Sequence, residues 1–169
     1  MKPNPLHLYS QEDMDMTEEM DKSGEMQLVV FRVGKEEYGL DIQEVKEIIK
    51  MQEITEIPNA PEFIEGVINL RGQITPVMDM RKKLKASKRE MNKDTRIVIV
   101  ETDNSNIGII VDSVTGVIHI PEREISPPPV GSENEFVKGV GKINNKLLIL
   151  IDINKMMPNE KIEVPQISV

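Results

Sequence analysis

The residues of this sequence that could do acid–base chemistry are mainly carboxylates, and four of them recur at matching places. Asp41, Asp79, Asp112 and Asp152 each follow an apolar, strand-like segment. Two carboxylates with different pKa values can act as general acid and general base. The same side chains also cap helices and close turns by accepting backbone N–H groups. Because the position after a strand recurs, we interpret all four as capping or turn residues, with a hydrolase as the weaker alternative.

Other side chains that carry chemistry are few or far apart. The chain has no cysteine, and its two histidines, His7 and His119, lie far apart in sequence without a zinc-binding spacing. Segment 103–106 is similar to the start of a calcium loop but lacks the distal glutamate, so a hairpin turn is expected there. Nucleophile-elbow and phosphate-binding glycine motifs are missing. We therefore predict no enzyme, no catalytic residues, no cofactor and no metal.

Composition narrows the class of partner. The formal net charge is -8 and aromatic residues make up 3% of the 169 residues. Nucleic acids and anionic membranes are bound by clustered lysine and arginine, and single strands also by stacking aromatics. A small-barrel nucleic-acid-binding protein is therefore the alternative and not the first choice. The sequence shows neither a signal peptide nor a span of about 18 apolar residues, so we expect a cytoplasmic protein.

The chain divides into a folded part and two tails. Residues 1–25 carry seven acidic side chains against two lysines, with methionines as the main apolar residues, which predicts a flexible acidic tail. The folded part is expected at 26–157, and a C-terminal tail at 158–169 begins with a proline.

An internal repeat is the strongest signal for the fold. A shift of 69 residues places Gly39 on Gly108 and Val45 on Val114, and a shift of 73 places Gly66 on Gly139 and Asp79 on Asp152. Two copies of one β-rich unit of about 65 residues therefore follow each other. Segment 41–50 fits an amphipathic helix, but its counterpart contains Thr115-Gly116, so a short turn followed by a strand suits both copies better.

The repeat predicts a mainly β fold. Each copy has about five short strands separated by turn residues, which is typical of a small barrel. Lobes of this size bury too little surface to be stable alone and should pack together. We expect them at about 26–86 and 95–157, with a linker at 87–94 and the possibility that segments are exchanged between lobes. Short helices are expected at 79–86 and 152–157.

One hairpin differs between the copies. Asn69-Leu70-Arg71-Gly72 corresponds to Lys142-Ile143-Asn144-Asn145. Gly72 can take a positive φ there, and Asn69 can bond to the backbone of the turn. Arg71 would then project from a rigid base, as interface arginines do, although a solvated arginine at a turn is the simpler interpretation.

Three runs of sequence resemble the family of the chemotaxis coupling protein CheW. They are FIEGVINLRGQITPVMD at 63–79, EYGLDIQEVKEI at 37–48 and GIIVDSVTGV at 108–117. The resemblance spans 26–157 and implies two SH3-like five-stranded barrels packed around a shared hydrophobic core. It also implies a non-catalytic adaptor that couples chemoreceptor cytoplasmic tips to the histidine kinase CheA.

The resemblance carries expectations for individual residues. It implies a receptor groove between the lobes, whose first-lobe wall would be lined by four apolar residues: Val29, Ile42, Val45 and Ile48. Glu47, Gly66 and Arg71 match positions linked to receptor or kinase binding. Asn69 and Gly72, in the same hairpin as Arg71, are also expected to contact a partner. The regulatory domain of the kinase would dock on an apolar surface of the second lobe. The protein would be recruited to membrane-associated receptor arrays.

Overall fold

The computed structural model describes residues 24–84, 86, 91–103, 105–128 and 136–157. The predicted acidic tail, except residues 24 and 25, the C-terminal tail and linker residues 87–90 lie outside these segments. In chain order the elements are β1 (Glu25–Val33), β2 (Glu36–Asp41), β3 (Val45–Lys50), β4 (Ile64–Leu70), β5 (Gln73–Asp79), α1 (Met80–Lys83), β6 (Arg96–Glu101), β7 (Asn106–Val111), β8 (Ser113–Pro121), β9 (Val137–Ile143), β10 (Lys146–Ile151) and α2 (Ile153–Met156). Neither of the described α-helices could span a lipid bilayer.

The strands form two five-stranded sheets with the same plan. The first sheet has the order β8-β1-β2-β10-β9, and the second has the order β3-β6-β7-β5-β4. Under the sequence repeat, β1 to β5 correspond to β6 to β10, so the two orders are identical. Each sheet contains the first two strands of one copy and the last three strands of the other copy. The repeat copies at 26–86 and 95–157 therefore do not coincide with the sheets, because segments are exchanged between them.

The exchange follows from two very short connections. Asp112 alone separates β7 in the second sheet from β8 in the first. Only the 3-10 turn Ile42–Glu44 separates β2 in the first sheet from β3 in the second. Connections this short carry the chain onward into the facing sheet. The segment 41–50 is thus a short turn followed by a strand, as its repeat counterpart predicted.

The predicted mainly β fold of two five-stranded lobes is confirmed, although strand pairing closes neither unit into a complete barrel. In the described segments, β8 and β3 each pair with one neighbouring strand, which leaves one edge of each sheet open. The opposite edges are partly covered by crossing loops, since Thr55 pairs with Val67 of β4 and Ser126 pairs with Val140 of β9.

Apolar side chains fill three cores. The largest lies between the two sheets and includes Val29, Phe31, Leu40, Met78, Val98, Ile109 and Ile151. A smaller core lies on the other face of each sheet, around Leu28, Val30 and Leu150 in the first and around Ile68, Val77 and Ile97 in the second. Because alternate residues of each strand enter different cores, both faces of each sheet are covered. The shared core joins the two lobes, each of which is built on one sheet, as the small size of each lobe led us to expect.

Three of the four recurrent aspartates are caps, as predicted. Asp41 Oδ1 accepts the N–H of Gln43 at 2.9 Å, and Asp79 and Asp152 accept N–H groups at the starts of α1 and α2. Both helices are one turn long, shorter than the predicted 79–86 and 152–157. Asp112 differs, since its carboxylate accepts a hydrogen bond from a distant turn.

Candidate partner-binding site

The hairpin between β4 and β5 has the rigid turn that its sequence predicted. Arg71 and Gly72 have φ values of 51° and 86°, and Leu70 pairs with Gln73 across the turn. Two successive positive φ values are typical of a type I′ hairpin. Asn69 Oδ1 accepts the N–H of Gly72 at 2.8 Å, which fixes the turn from inside. The local geometry therefore holds the base of the Arg71 side chain in place.

Arginine is an unusual residue for this backbone position. The matching turn of the second copy also has two positive φ values, and there the residues are Asn144 and Asn145. Asparagine tolerates the left-handed region far better than a long side chain does. The turn itself therefore does not require Arg71, and its presence points to a task for its guanidinium.

The guanidinium of Arg71 forms a two-pronged ion pair with Glu47. Nη1 donates to Oε1 at 3.0 Å and Nη2 donates to Oε2. The hydrogen bonding of Arg71 to Glu47, together with the negative charge of Glu47, raises the pKa of Arg71 above its ordinary value. Arg71 remains 70% exposed, while Glu47 is 22% exposed. The two predicted contact residues are thus joined, and a partner would meet a preformed pair.

The pair joins the two ends of one sheet. Glu47 lies on β3, which is the first strand of the second sheet, and Arg71 lies at the tip of the hairpin that forms its other end. Gln52 adds a second link, since its Nε2 donates to the Asn69 carbonyl at 3.2 Å. The sheet is therefore curled so that its ends meet through side chains. These contacts form where a barrel would close by strand pairing.

The four predicted groove residues separate into two kinds. Ile42 and Ile48 are half-buried and pack on the edge of the shared core, so part of each side chain reaches the surface. Val29 is 0% exposed and Val45 is 5% exposed. These two valines therefore do not line an accessible wall in this structure, because their strands turn them into the core beneath it.

Gly66, another predicted contact residue, is also buried. It is buried inside β4 with a φ of 152°, and a Cβ built there would lie 2.2 Å from the carbonyl oxygen of Thr55. The loop that contains Thr55 crosses β4 at this point through two hydrogen bonds to Val67, each of 2.9 Å. Gly66 therefore makes room for a crossing backbone and presents no side-chain surface to a partner.

The predicted contact residues include no exposed side chain of the first sheet. Leu147 of β10 is 60% exposed at one end of the strand, on the face from which Ile151 enters the shared core, whereas the half-buried Ile143 of β9 lies on the opposite face. Ile143 precedes the exposed turn at Asn144 and Asn145, and Leu147 follows it. The exposure of Leu147 was hard to predict, because this residue belongs to a run of five apolar residues in which no alternation distinguishes the exposed position.

The described residues offer little for the alternative chemistries. In these segments no group of three or more histidine or acidic side chains could hold a metal ion. The rings of Phe31 and Tyr38 are buried, and those of Phe63 and Phe136 pack against the shared core. Single-stranded nucleic acids are commonly bound by exposed rings on which bases stack. None of the described phenylalanine and tyrosine rings is fully exposed, which disfavours the nucleic-acid alternative.

Comparisons with known proteins agree on one family. The family model of the CheW-like domain matches residues 27–161. The chain is similar to the chemotaxis protein CheW of Bacillus subtilis, with 38% identity over 86% of this chain and 94% of the relative. It is also similar to the chemotaxis protein CheW of Klebsiella aerogenes, with 36% identity over 80% of this chain and 83% of the relative.

A solved structure extends this similarity to three dimensions. The crystal structure of the scaffolding protein TtCheW from Thermoanaerobacter tengcongensis matches with a TM-score of 0.74 and 46% sequence identity. The match covers 78% of this chain and 91% of that protein.

Proposed function

This chain belongs to the CheW-like domain family, and we propose that it couples chemoreceptor cytoplasmic tips to the histidine kinase CheA. Its general role is that of a chemotaxis scaffold, and the proteins of this family act without catalysis. The observation that carries the proposal is the 46% identity to a scaffolding protein over 91% of that protein's length. The receptor and kinase are the finer, proposed part of the function.

The receptor tip is proposed to bind beside the Arg71–Glu47 pair. A helical partner with one apolar face can lay that face against exposed apolar side chains. Ile48 of β3 and Ile42 of the preceding turn supply such a surface at the edge of the shared core, and Glu47 precedes Ile48 in β3 with its side chain on the other face of the strand. The arginine would bind carboxylates or carbonyl groups of the partner through donors not used by Glu47, since a guanidinium has five N–H groups.

The kinase is proposed to contact the first sheet. Leu147 of β10 is 60% exposed and presents an apolar side chain there, away from the Arg71 hairpin of the second sheet. Exposed aliphatic side chains beside polar turn residues are a common start for a protein interface. Two surfaces on different sheets would let one molecule hold both partners. Bridging then raises the concentration of kinase beside the receptor without any covalent step.

The cellular location follows as part of the same proposal. A bridging protein of this kind would act in the cytoplasm and be recruited to membrane-associated receptor arrays by its partners. No membrane insertion of its own is required for this role.

The proposal is tested with a variant that copies the protein's own second hairpin. Arg71→Asn places the residue type of Asn144 at the matching turn, so the backbone should keep its conformation. We expect weaker binding to a receptor tip fragment, by about 10-fold or more, with unchanged thermal unfolding. Titration calorimetry with the tip fragment and with the kinase regulatory domain measures both affinities. Arg123→Asn is the matched control, because Arg123 is exposed in the 3-10 turn that follows β8 of the first sheet.

A charge exchange separates two roles of the ion pair. The double variant Glu47→Arg/Arg71→Glu keeps an ion pair but reverses its direction. If the pair only holds the curled sheet together, the double variant should bind as the unmodified protein does. If a partner contacts the arginine at position 71, the double variant should bind as weakly as Arg71→Asn. Unchanged affinity of Arg71→Asn for both partners would refute the proposed contact.

A further inference from the structure

A buried ionic cluster lies where the chain crosses between the sheets. Arg81 of α1 is 7% exposed and Asp79 is 4% exposed. Arg81 Nε and Nη2 donate to the Asp79 carboxylate at 3.2 Å and 3.3 Å, and Nε lies 4.0 Å from Asp112 Oδ1. Asp112 is the single residue between β7 and β8. The cluster therefore joins the end of the second sheet to the crossing point.

Asp112 carries this connection into the first sheet. Its Oδ2 accepts the N–H of Gly34, in the turn between β1 and β2, at 2.8 Å. Its own N–H donates to the carbonyl oxygen of Arg32 at 2.9 Å. Arg81, Asp79, Asp112 and the Gly34 N–H thus form one chain of contacts across the lobes, which we name the charged clamp.

A neutral counterpart lies at the matching place of the other copy. A shift of 73 places Arg81 on Asn154, and a shift of 69 places Gly34 on Asp103. Asn154 Oδ1 accepts the N–H of Asp103 at 2.9 Å. Asn154 belongs to α2 after the first sheet, and Asp103 belongs to the β6–β7 turn of the second. This amide clamp therefore also ties a helix on one sheet to a turn of the other.

We propose that the two clamps fix the orientation of one lobe relative to the other, and that Arg81 is the main positioning residue. The shared apolar core holds the lobes together but tolerates small sliding, because hydrophobic contact has little directionality. Hydrogen bonds and a planar guanidinium have strict geometry. A buried ion pair contributes little net stability compared with well-packed apolar residues, so its use here fits a role in specifying one arrangement.

The positional role has a consequence for the adaptor. Two partner surfaces on different lobes can influence each other only if the lobes respond together. This consequence rests on the proposed function, whereas the clamp itself does not. The test is therefore made on the protein alone, so its failure would leave the adaptor role untouched.

The test compares Arg81→Met with Lys82→Met in the full chain. Methionine keeps the apolar stem of Arg81 but removes the donors, and Lys82 is the exposed neighbour on the same helix. Residual dipolar couplings measured by NMR report the orientation of each sheet separately. Amide hydrogen exchange at Gly34 reports the far end of the clamp, and exchange at Ile109 reports the integrity of the core.

The expected result is specific to the orientation of the lobes. In Arg81→Met the couplings of the two sheets should require different alignment tensors, and Gly34 should exchange about 10-fold faster with Ile109 unchanged. Lys82→Met should keep one tensor and normal exchange. One shared tensor with unchanged Gly34 exchange in Arg81→Met would overturn the proposal. If Arg81→Met does not fold, Asp112→Ala and Asn154→Ala are measured in the same way, and one shared tensor in both would equally overturn it.

Discussion

Replacing Gly66 with alanine should destabilise the protein strongly, because the new methyl group has no room. A Cβ at this position would lie 2.2 Å from the Thr55 oxygen, 2.8 Å from the Thr55 carbonyl carbon and 2.9 Å from a side-chain carbon of Ile54. Two of these atoms belong to a backbone that is itself hydrogen-bonded to Val67. The crossing loop must therefore move away from β4 for the variant to fold.

The magnitude follows from two contributions. A φ of 152° costs a residue with a side chain about 1–3 kcal/mol. Moving the loop breaks the two hydrogen bonds between Thr55 and Val67, which contribute about 0.5–1.5 kcal/mol each. The sum is about 2–6 kcal/mol. At about 2–4 °C for each kcal/mol in a chain of this size, the melting temperature should fall on the order of 10 °C.

Two other glycines provide graded controls. Gly72 has a positive φ of 86° but nothing within 4 Å of a built Cβ, so Gly72→Ala should cost only about 1 kcal/mol. At Gly139 a Cβ would meet a methyl carbon of Ile125 at 2.7 Å and the Ser126 oxygen at 2.9 Å, and no positive φ adds to the cost. Gly139→Ala should therefore be intermediate.

Denaturant unfolding followed by circular dichroism measures the free energy of unfolding of the three variants and the unmodified protein. The expected order of destabilisation is Gly66→Ala, then Gly139→Ala, then Gly72→Ala. Partner affinity of Gly66→Ala should be lost only to the extent that the protein unfolds. If Gly66→Ala were as stable as Gly72→Ala, the crossing loop would not pack on β4 as described, and the structural role of Gly66 would be refuted.

Three further outcomes are expected. Met78→Ala should lower the free energy of unfolding by about 2–5 kcal/mol, since Met78 is fully buried in the shared core, whereas Leu147→Ala at a 60% exposed position should change it by about 0.5 kcal/mol or less. Burial, followed by the charge of Asp41, raises the pKa of Glu44 above 4.5, so the folded state keeps this proton to higher pH than the unfolded state. The contribution of Glu44 to stability therefore falls as the pH rises above about 4.5. Glu44→Gln should therefore be more stable than the unmodified protein by a margin that grows between pH 4 and pH 7 in urea titrations. A constant margin would contradict this assignment.

Much of the local structure could be predicted because its causes are local. Short runs of apolar and β-branched residues indicated the strands, and the chemistry of Asn69 and Gly72 indicated the turn that contains Arg71. The caps at Asp41, Asp79 and Asp152 each depend on backbone N–H groups within three residues. The repeat revealed that two similar units exist, since similar sequences require similar elements.

The tertiary structure decided which elements belong together, because partners distant in sequence leave no local pattern. An exchanged and an unexchanged pair of sheets would bury the same faces of the same strands, so periodicity cannot distinguish them. The pairing of Arg71 with Glu47, the close approach of Thr55 to Gly66 and the burial of Val29 all follow from how the second sheet curls and packs. The link from Arg81 to Gly34 likewise exists only because the chain crosses between sheets at Asp112. By itself, the sequence determined the units, their turns and their caps, while the packing of faces determined the sites.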